Sequence, residues 1–140
     1  MPVEYAIDAN VILRFVLADH PGLFAKAQAI FAAAEAGEVT LHCDPVNLGE
    51  VVWVLSSHYK IPCADIADFL SPLLSAVGFM VPDKQRYLRA LALYGEGTLR
   101  FGDACACAGA KQCCEGRLVS FDRALSKAEG IERVEAVDPG

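Results

Sequence analysis

At 140 residues, with 54% hydrophobic residues and a net charge of −6, the chain is sized for one globular domain and falls outside the disordered, collagen-like and disulfide-scaffold classes. No apolar run approaches the roughly 20 residues that span a bilayer. The N-terminus carries Glu4 and Asp8 but no early Lys or Arg, so neither a membrane span nor a signal peptide is expected and the expected location is cytoplasmic.

Taken in chain order, Val3–Ile7 predicts a strand and residues 10–18 a helix. Pro21 suits the first turn of a second helix reaching about Ala36, capped by Asp19 or His20 and ended by Gly37. Val39–His42 predicts a strand, and Asp44-Pro45 opens the helix that carries Glu50. A further helix begins near Ala64 and meets Pro72, which is expected to kink or end it. Gly78–Val81 is a short strand, and Asp83 caps a helix running to about Tyr94. Gly95–Thr98 reads as a loop before a helix opened by Asp103. Arg117–Ser120 is a strand, Arg123–Lys127 a short helix, and Ile131–Val134 a final edge strand. Strands alternating with helices predict a single α/β domain over 1–140, a three-layer α/β/α sandwich with a parallel central sheet.

Four acids stand where local hydrophobicity argues against one. Asp8 ends the strand Val3–Ile7, and Asp122 ends the apolar run Leu118–Phe121. In one parallel sheet both would emerge at the carboxyl edge, where open α/β folds bind ligands. Asp103 sits at the start of an Ala/Cys-rich helix. Glu50 lies among Leu48, Val51, Val52 and Leu55 on one side and Val46, Trp53 and Val54 on the other, so its helix is expected to be largely buried. Helix capping is the rival account of each aspartate, and an ion pair with an arginine is the rival for Glu50. Capping does not account for Glu50.

Carboxylates brought together repel unless cations compensate. An all-oxygen set with no clustered His or Cys selects Mg²⁺ or Mn²⁺ over zinc, and such ions support phosphodiester hydrolysis by an activated water. Asn10 and Ser120 are the polar neighbours suited to orienting water or phosphate. The net charge argues against a broadly basic nucleic-acid surface, but acids in one pocket are masked by bound cations. Lys84, Arg86, Arg89 and Arg100 can supply a local basic rim. The six cysteines show no paired C-x-x-C spacing and read as small buried hydrophobes. His20, His42 and His58 are scattered.

In order and spacing, Ile7-Asp8-Ala9-Asn10-Val11-Ile12-Leu13, Asn47-x-x-Glu50, Phe101-x-Asp103-Ala104 and Ser120-Phe121-Asp122 resemble the acidic motifs of PIN-domain ribonucleases, above all the VapC-type toxins of toxin–antitoxin pairs. The resemblance spans nearly the whole chain. It implies a PIN-like fold, a Mg²⁺- or Mn²⁺-dependent endoribonuclease acting on RNA, and a homodimer. It also implies a cognate, VapB-like antitoxin that inserts a peptide into the acidic pocket. By motif match, Asp8, Glu50, Asp103 and Asp122 take the catalytic and metal-holding roles, and Ser120 stands where the family often has a hydroxyl. The Cys-rich helix departs from the usual Ala/Leu filling. Two other readings use the same residues: a structure-specific nuclease or phosphatase with this acidic edge, and a catalytically silent module whose pocket holds a partner's arginine.

Overall fold

The computed structural model describes all residues, 1–140. Strand β1 is Val3–Ile7, followed by α1 (Ala9–Leu17), α2 (Pro21–Glu35), β2 (Val39–Cys43) and α3 (Pro45–Trp53). A π-helical turn, Val54–His58, extends α3. Then come α4 (Cys63–Ser75), β3 (Phe79–Met80), α5 (Lys84–Gly95), α6 (Phe101–Cys113), β4 (Arg117–Val119), a 3₁₀ turn (Arg123–Lys127) and β5 (Glu132–Val134).

Side-chain caps open α1, α2 and α3. Asp8 Oδ1 accepts from the amides of Asn10 and Val11 and opens α1. His20 caps α2, its Nδ1 accepting from the Leu23 amide at 3.1 Å. Asp19 is taken instead by Arg14 at 3.0 Å. Asp44 Oδ1 accepts from the Val46 amide at 2.8 Å, with Pro45 in the first turn of α3, where a missing N–H costs nothing. Asp83 precedes α5 with φ 58° and offers only its carbonyl, to the amides of Arg86 and Tyr87. Pro72 neither ends α4 nor lies at its edge; the helix continues to Ser75. With Leu70, Leu73 and Leu74 of the same stretch buried, packing holds a turn that the lost hydrogen bond alone would loosen.

The protein is α/β with every strand pair parallel, in keeping with the three-layer α/β/α arrangement, but its strands lie in two sheets. The first has the order β1-β2-β3. Its register pairs Val3 with Val39 through Ile7 with Cys43, and Leu41 with Phe79. The second joins β4 to β5, Arg117 opposite Glu132 through Val119 opposite Val134. The expected parallel pairing is present, with the strands divided between these two sheets. Strands of three residues carry few ladder bonds, and β4 and β5 satisfy theirs on each other, continued by Glu132 N–H to the Gly116 carbonyl and Ser120 N–H to the Val134 carbonyl. One edge of β1 therefore has no strand beside it, and Val3 and Tyr5 are exposed.

The core lies between the first sheet and the helices α1 to α6. Ile12, Leu41, Leu48, Leu55, Ile66, Leu70, Phe79 and Leu91 are fully buried there. Phe15, Phe31 and Phe79 form a chain of tilted rings, with centroids 4.8 and 6.2 Å apart. Gly78 sits where the chain passes closest to its neighbours. A Cβ there would lie 2.4 Å from the carbonyl oxygens of Ala34 and Val39, so only glycine lets α2 and β2 meet β3 at this point.

Candidate active site

The register of the first sheet fixes the position of Asp8. It follows Ile7, which is paired with Cys43, and Asp44 follows Cys43. Two aspartates thus stand side by side at the carboxyl edge of β1 and β2, each capping the helix that leaves its strand. Asp44 was read from the sequence only as a cap. The parallel pairing that makes it a neighbour of Asp8 is not a local signal.

Asp122 occupies the equivalent place in the other sheet. Its Oδ1 accepts from the Ala124 amide at 3.0 Å, and its own amide donates to Ser120 Oγ at 3.0 Å. Arg133 ties this turn down by donating to the Ser120 carbonyl at 2.8 Å and to Ser126 Oγ at 2.7 Å. Asp8 and Asp122 both follow strands, as expected, but not strands of one sheet. Ser120 positions the Asp122 turn, and Asn10 contributes its backbone amide to Asp8.

Asp103 does not open α6. The helix begins at Phe101 with Arg100 as its cap residue, so Asp103 lies within the first turn, half-buried, with its carboxylate making no hydrogen bond to the protein. An acid there is favoured by the helix dipole. Glu50 is exposed, on a face of α3 that the expectation of a largely buried helix had placed inside. Leu48, Val51, Val52 and Leu55 are indeed buried, but Val46 is 79% and Trp53 65% exposed. The apolar character of this second face is real; no other element covers it. An exposed glutamate needs no arginine, and none pairs with it.

No three of the chain's Asp, Glu, His and Cys side chains stand together as a group able to hold a metal ion. Asp8, Glu50, Asp103 and Asp122 are therefore not gathered into a ready-made ion cradle, although each is an oxygen donor of the kind a hard cation takes. The basic rim is likewise dispersed. Lys84 donates to the Ala76 carbonyl at 3.3 Å, and burial lowers its amine pKa. Arg86 donates to Gln112 at 2.9 Å and lies 3.9 Å from Asp83. Arg89 and Arg100, by contrast, are exposed and without a partner.

Two cavities flank these residues. One, about 570 Å³, runs along β1, α1 and α2. Nine of its ten lining residues are apolar, among them Tyr5, Ile7, Val11 and Ile30, and the tenth is Asp8. The other, about 730 Å³, lies between α3, its π-helical extension and the loop entering α6. It is lined by Trp53, Tyr94, Phe101 and Arg100 with several small polar residues. A largely buried α3 would have covered Trp53, which is instead open to solvent. Its spacing of three from Glu50 was the available sign that both share one face.

All six cysteines are free. Burial, assisted by the Asp44 charge, pushes the Cys43 thiol up to about 11, and burial does the same at Cys105 against the opposing pull of Arg86. Cys43 and Cys107 are the buried hydrophobes expected, whereas Cys113 is exposed, its Sγ 3.0 Å from that of Cys114. No helix is long and apolar enough to cross a membrane.

Searches of curated proteins and of solved structures return no match. The profile of the PIN domain matches residues 5–131, a span that contains all four acids. The chain belongs to the PIN domain family, whose fold is nuclease-like.

Proposed function

We propose that this protein is an endoribonuclease of the toxin type, dependent on Mg²⁺ or Mn²⁺, with Asp8, Glu50, Asp103 and Asp122 as its catalytic acids. The observation that carries the reading is the PIN match over 5–131 together with those four acids in the family's order. An all-carboxylate set supports a hard cation as cofactor. When bound, such an ion would activate water and neutralise phosphate charge. The residues' own contributions are more modest: Ser120 and Arg133 hold the Asp122 turn, and Asn10 lies beside Asp8 for contact with substrate.

A cognate antitoxin is part of the proposal. The apolar cleft beside β1, with Asp8 as the one charged residue in its lining, suits a peptide that is apolar along its length and carries one arginine. A homodimer is proposed as well, and the exposed Phe69 and Val77 bordering one cleft support it. The test is a divalent-dependent RNA cleavage assay of wild type against Asp8→Asn and Asp103→Asn. Equal activity in all three would indicate a contaminating nuclease and remove the reading.

The separation of the four acids favours a second reading, a silent module whose acids serve only as caps and partner contacts. Titration calorimetry with Mn²⁺ separates the two, since the silent module predicts no specific cation binding.

A further inference from the structure

We propose that the cavity of about 730 Å³ beside α3 is a single-stranded nucleotide subsite, in which a base stacks on Trp53 and its phosphate is met by Arg100. The inference rests on the ribonuclease reading and names where that site grips its substrate. Four observations carry it. First, Trp53 is 65% exposed although it is the chain's only tryptophan, and it lines this cavity. An indole left open to solvent offers a stacking face that every base can use. Second, Arg100 is the sole charged residue in the lining, and no carboxylate pairs with it. In a chain of net charge −6, a cavity free of acids with one unpaired guanidinium selects an anion.

Third, the rest of the lining has the mixed character of a nucleotide pocket. Tyr94 and Phe101 meet edge to face, with centroids 5.7 Å apart, while the exposed hydroxyls of Ser57 and Thr98 supply donors and acceptors for ribose or base edges. Only six of the thirteen lining residues are apolar, against nine of ten in the cleft beside β1. The latter composition suits an apolar peptide and the former a nucleotide. Fourth, Gly49 and Gly102 line the cavity, and each is the immediate neighbour of a candidate acid, Glu50 and Asp103. The subsite is thus built from chain immediately next to two of the proposed catalytic acids.

The experiment uses the full chain in EDTA, so that binding is read without cleavage. Unlabelled hexauridylate is titrated while Trp53 fluorescence is followed, and labelled hexauridylate is followed by anisotropy. The expected result is saturable quenching of the one tryptophan. Arg100→Ala should weaken binding about tenfold and flatten the logarithmic salt dependence by about 0.7, the loss of one phosphate contact on a single strand. Trp53→Ala should weaken binding by about fivefold or more, and Trp53→Phe should recover part of it. Trp53 and Arg100 are exposed and make no side-chain hydrogen bonds, so both variants should melt like wild type by circular dichroism; if Trp53→Ala does not fold, Trp53→Phe and Arg100→Ala carry the test.

RNA that binds without quenching Trp53, or that binds the variants as tightly as wild type, overturns the proposal. So does equal quenching by hexaglutamate, which would make this a peptide site, or by inorganic phosphate alone, which would make it an anion site without stacking. Failure of the ribonuclease reading looks different: quenching by RNA persists, but wild type does not cleave when Mn²⁺ is restored.

Discussion

The carboxylate of Asp8 accepts a hydrogen bond from the amide of Val11 at 3.3 Å, so the acid that heads the candidate site is also the cap of α1. Structural and chemical roles therefore coincide on one side chain, and a single substitution cannot separate them. Two can. Asparagine caps nearly as well as aspartate, whereas alanine does not. Asp8→Asn should keep stability within a few tenths of a kcal/mol and abolish RNA cleavage. Asp8→Ala should abolish cleavage too and cost about 0.5–2 kcal/mol. Urea unfolding of both variants beside the cleavage assay checks this, and a stable Asp8→Asn that cleaves normally would leave capping as the residue's whole role.

Glu50 provides the cleaner probe, because its exposure removes it from the stability question. Glu50→Gln should change unfolding free energy by no more than about 0.5 kcal/mol, as surface substitutions do. Cleavage should nevertheless fall by at least about tenfold. A catalytically normal Glu50→Gln would take it out of the acid set.

Gly116 controls the small sheet that carries Asp122. Its φ is 83°, and a Cβ would sit 2.1 Å from the Gly130 carbonyl oxygen, against backbone that cannot yield cheaply. Gly116→Ala should cost about 1–3 kcal/mol from backbone strain alone, with the collision adding to it. Calorimetry should show a lowered Tm, and amide exchange should show the loss of protection concentrated at β4 and β5. A variant as stable as wild type would mean that this crossing is looser than it looks.

Two desolvated thiols set a pH limit. Cys43 and Cys105 titrate near 9.0 when unperturbed and near 11 in the fold. Below pH 9 both states hold the proton and stability is full. Between about 9 and 11 the unfolded chain ionises first, so stability falls; above 11 the loss levels off. Unfolding free energy measured from pH 8 to 11 should decline through this window, and the decline should shrink in a Cys43→Ala/Cys105→Ala variant compared with its own value at pH 8. The same burial predicts that alkylation at pH 8 labels Cys113 well before Cys43.

Much of this was legible from the residues, and the failures have a common cause. The stripe Leu48, Val51, Val52 and Leu55 was read correctly because helical period alone fixes which residues share a face. Val46 and Trp53 were misread because hydrophobicity records what favours burial and is silent on whether a partner surface is present. Asp44 was legible as a cap and His20 as one of two candidates with Asp19, since capping depends on neighbours two or three residues away. Arg100, with no side-chain cap, gave no sign that α6 begins two residues before Asp103. The strands β4 and β5 were visible as short apolar runs, but strand partners are a long-range property, so their pairing with each other and not with β1 was hidden. Asp8 and Asp122 were consequently placed at strand ends correctly, but the strands that carry them belong to different sheets.

The central claim is that this PIN domain cuts RNA with its four acids, and one measurement meets it directly. Purified protein is incubated with single-stranded RNA in Mn²⁺ or in EDTA, for wild type and for Asp8→Asn, Glu50→Gln, Asp103→Asn and Asp122→Asn. The account predicts internal cleavage by wild type in Mn²⁺, none in EDTA, and a loss of at least about a hundredfold in each aspartate variant. Cleavage that persists undiminished in all four variants, or an inert wild type that binds no Mn²⁺, would contradict it.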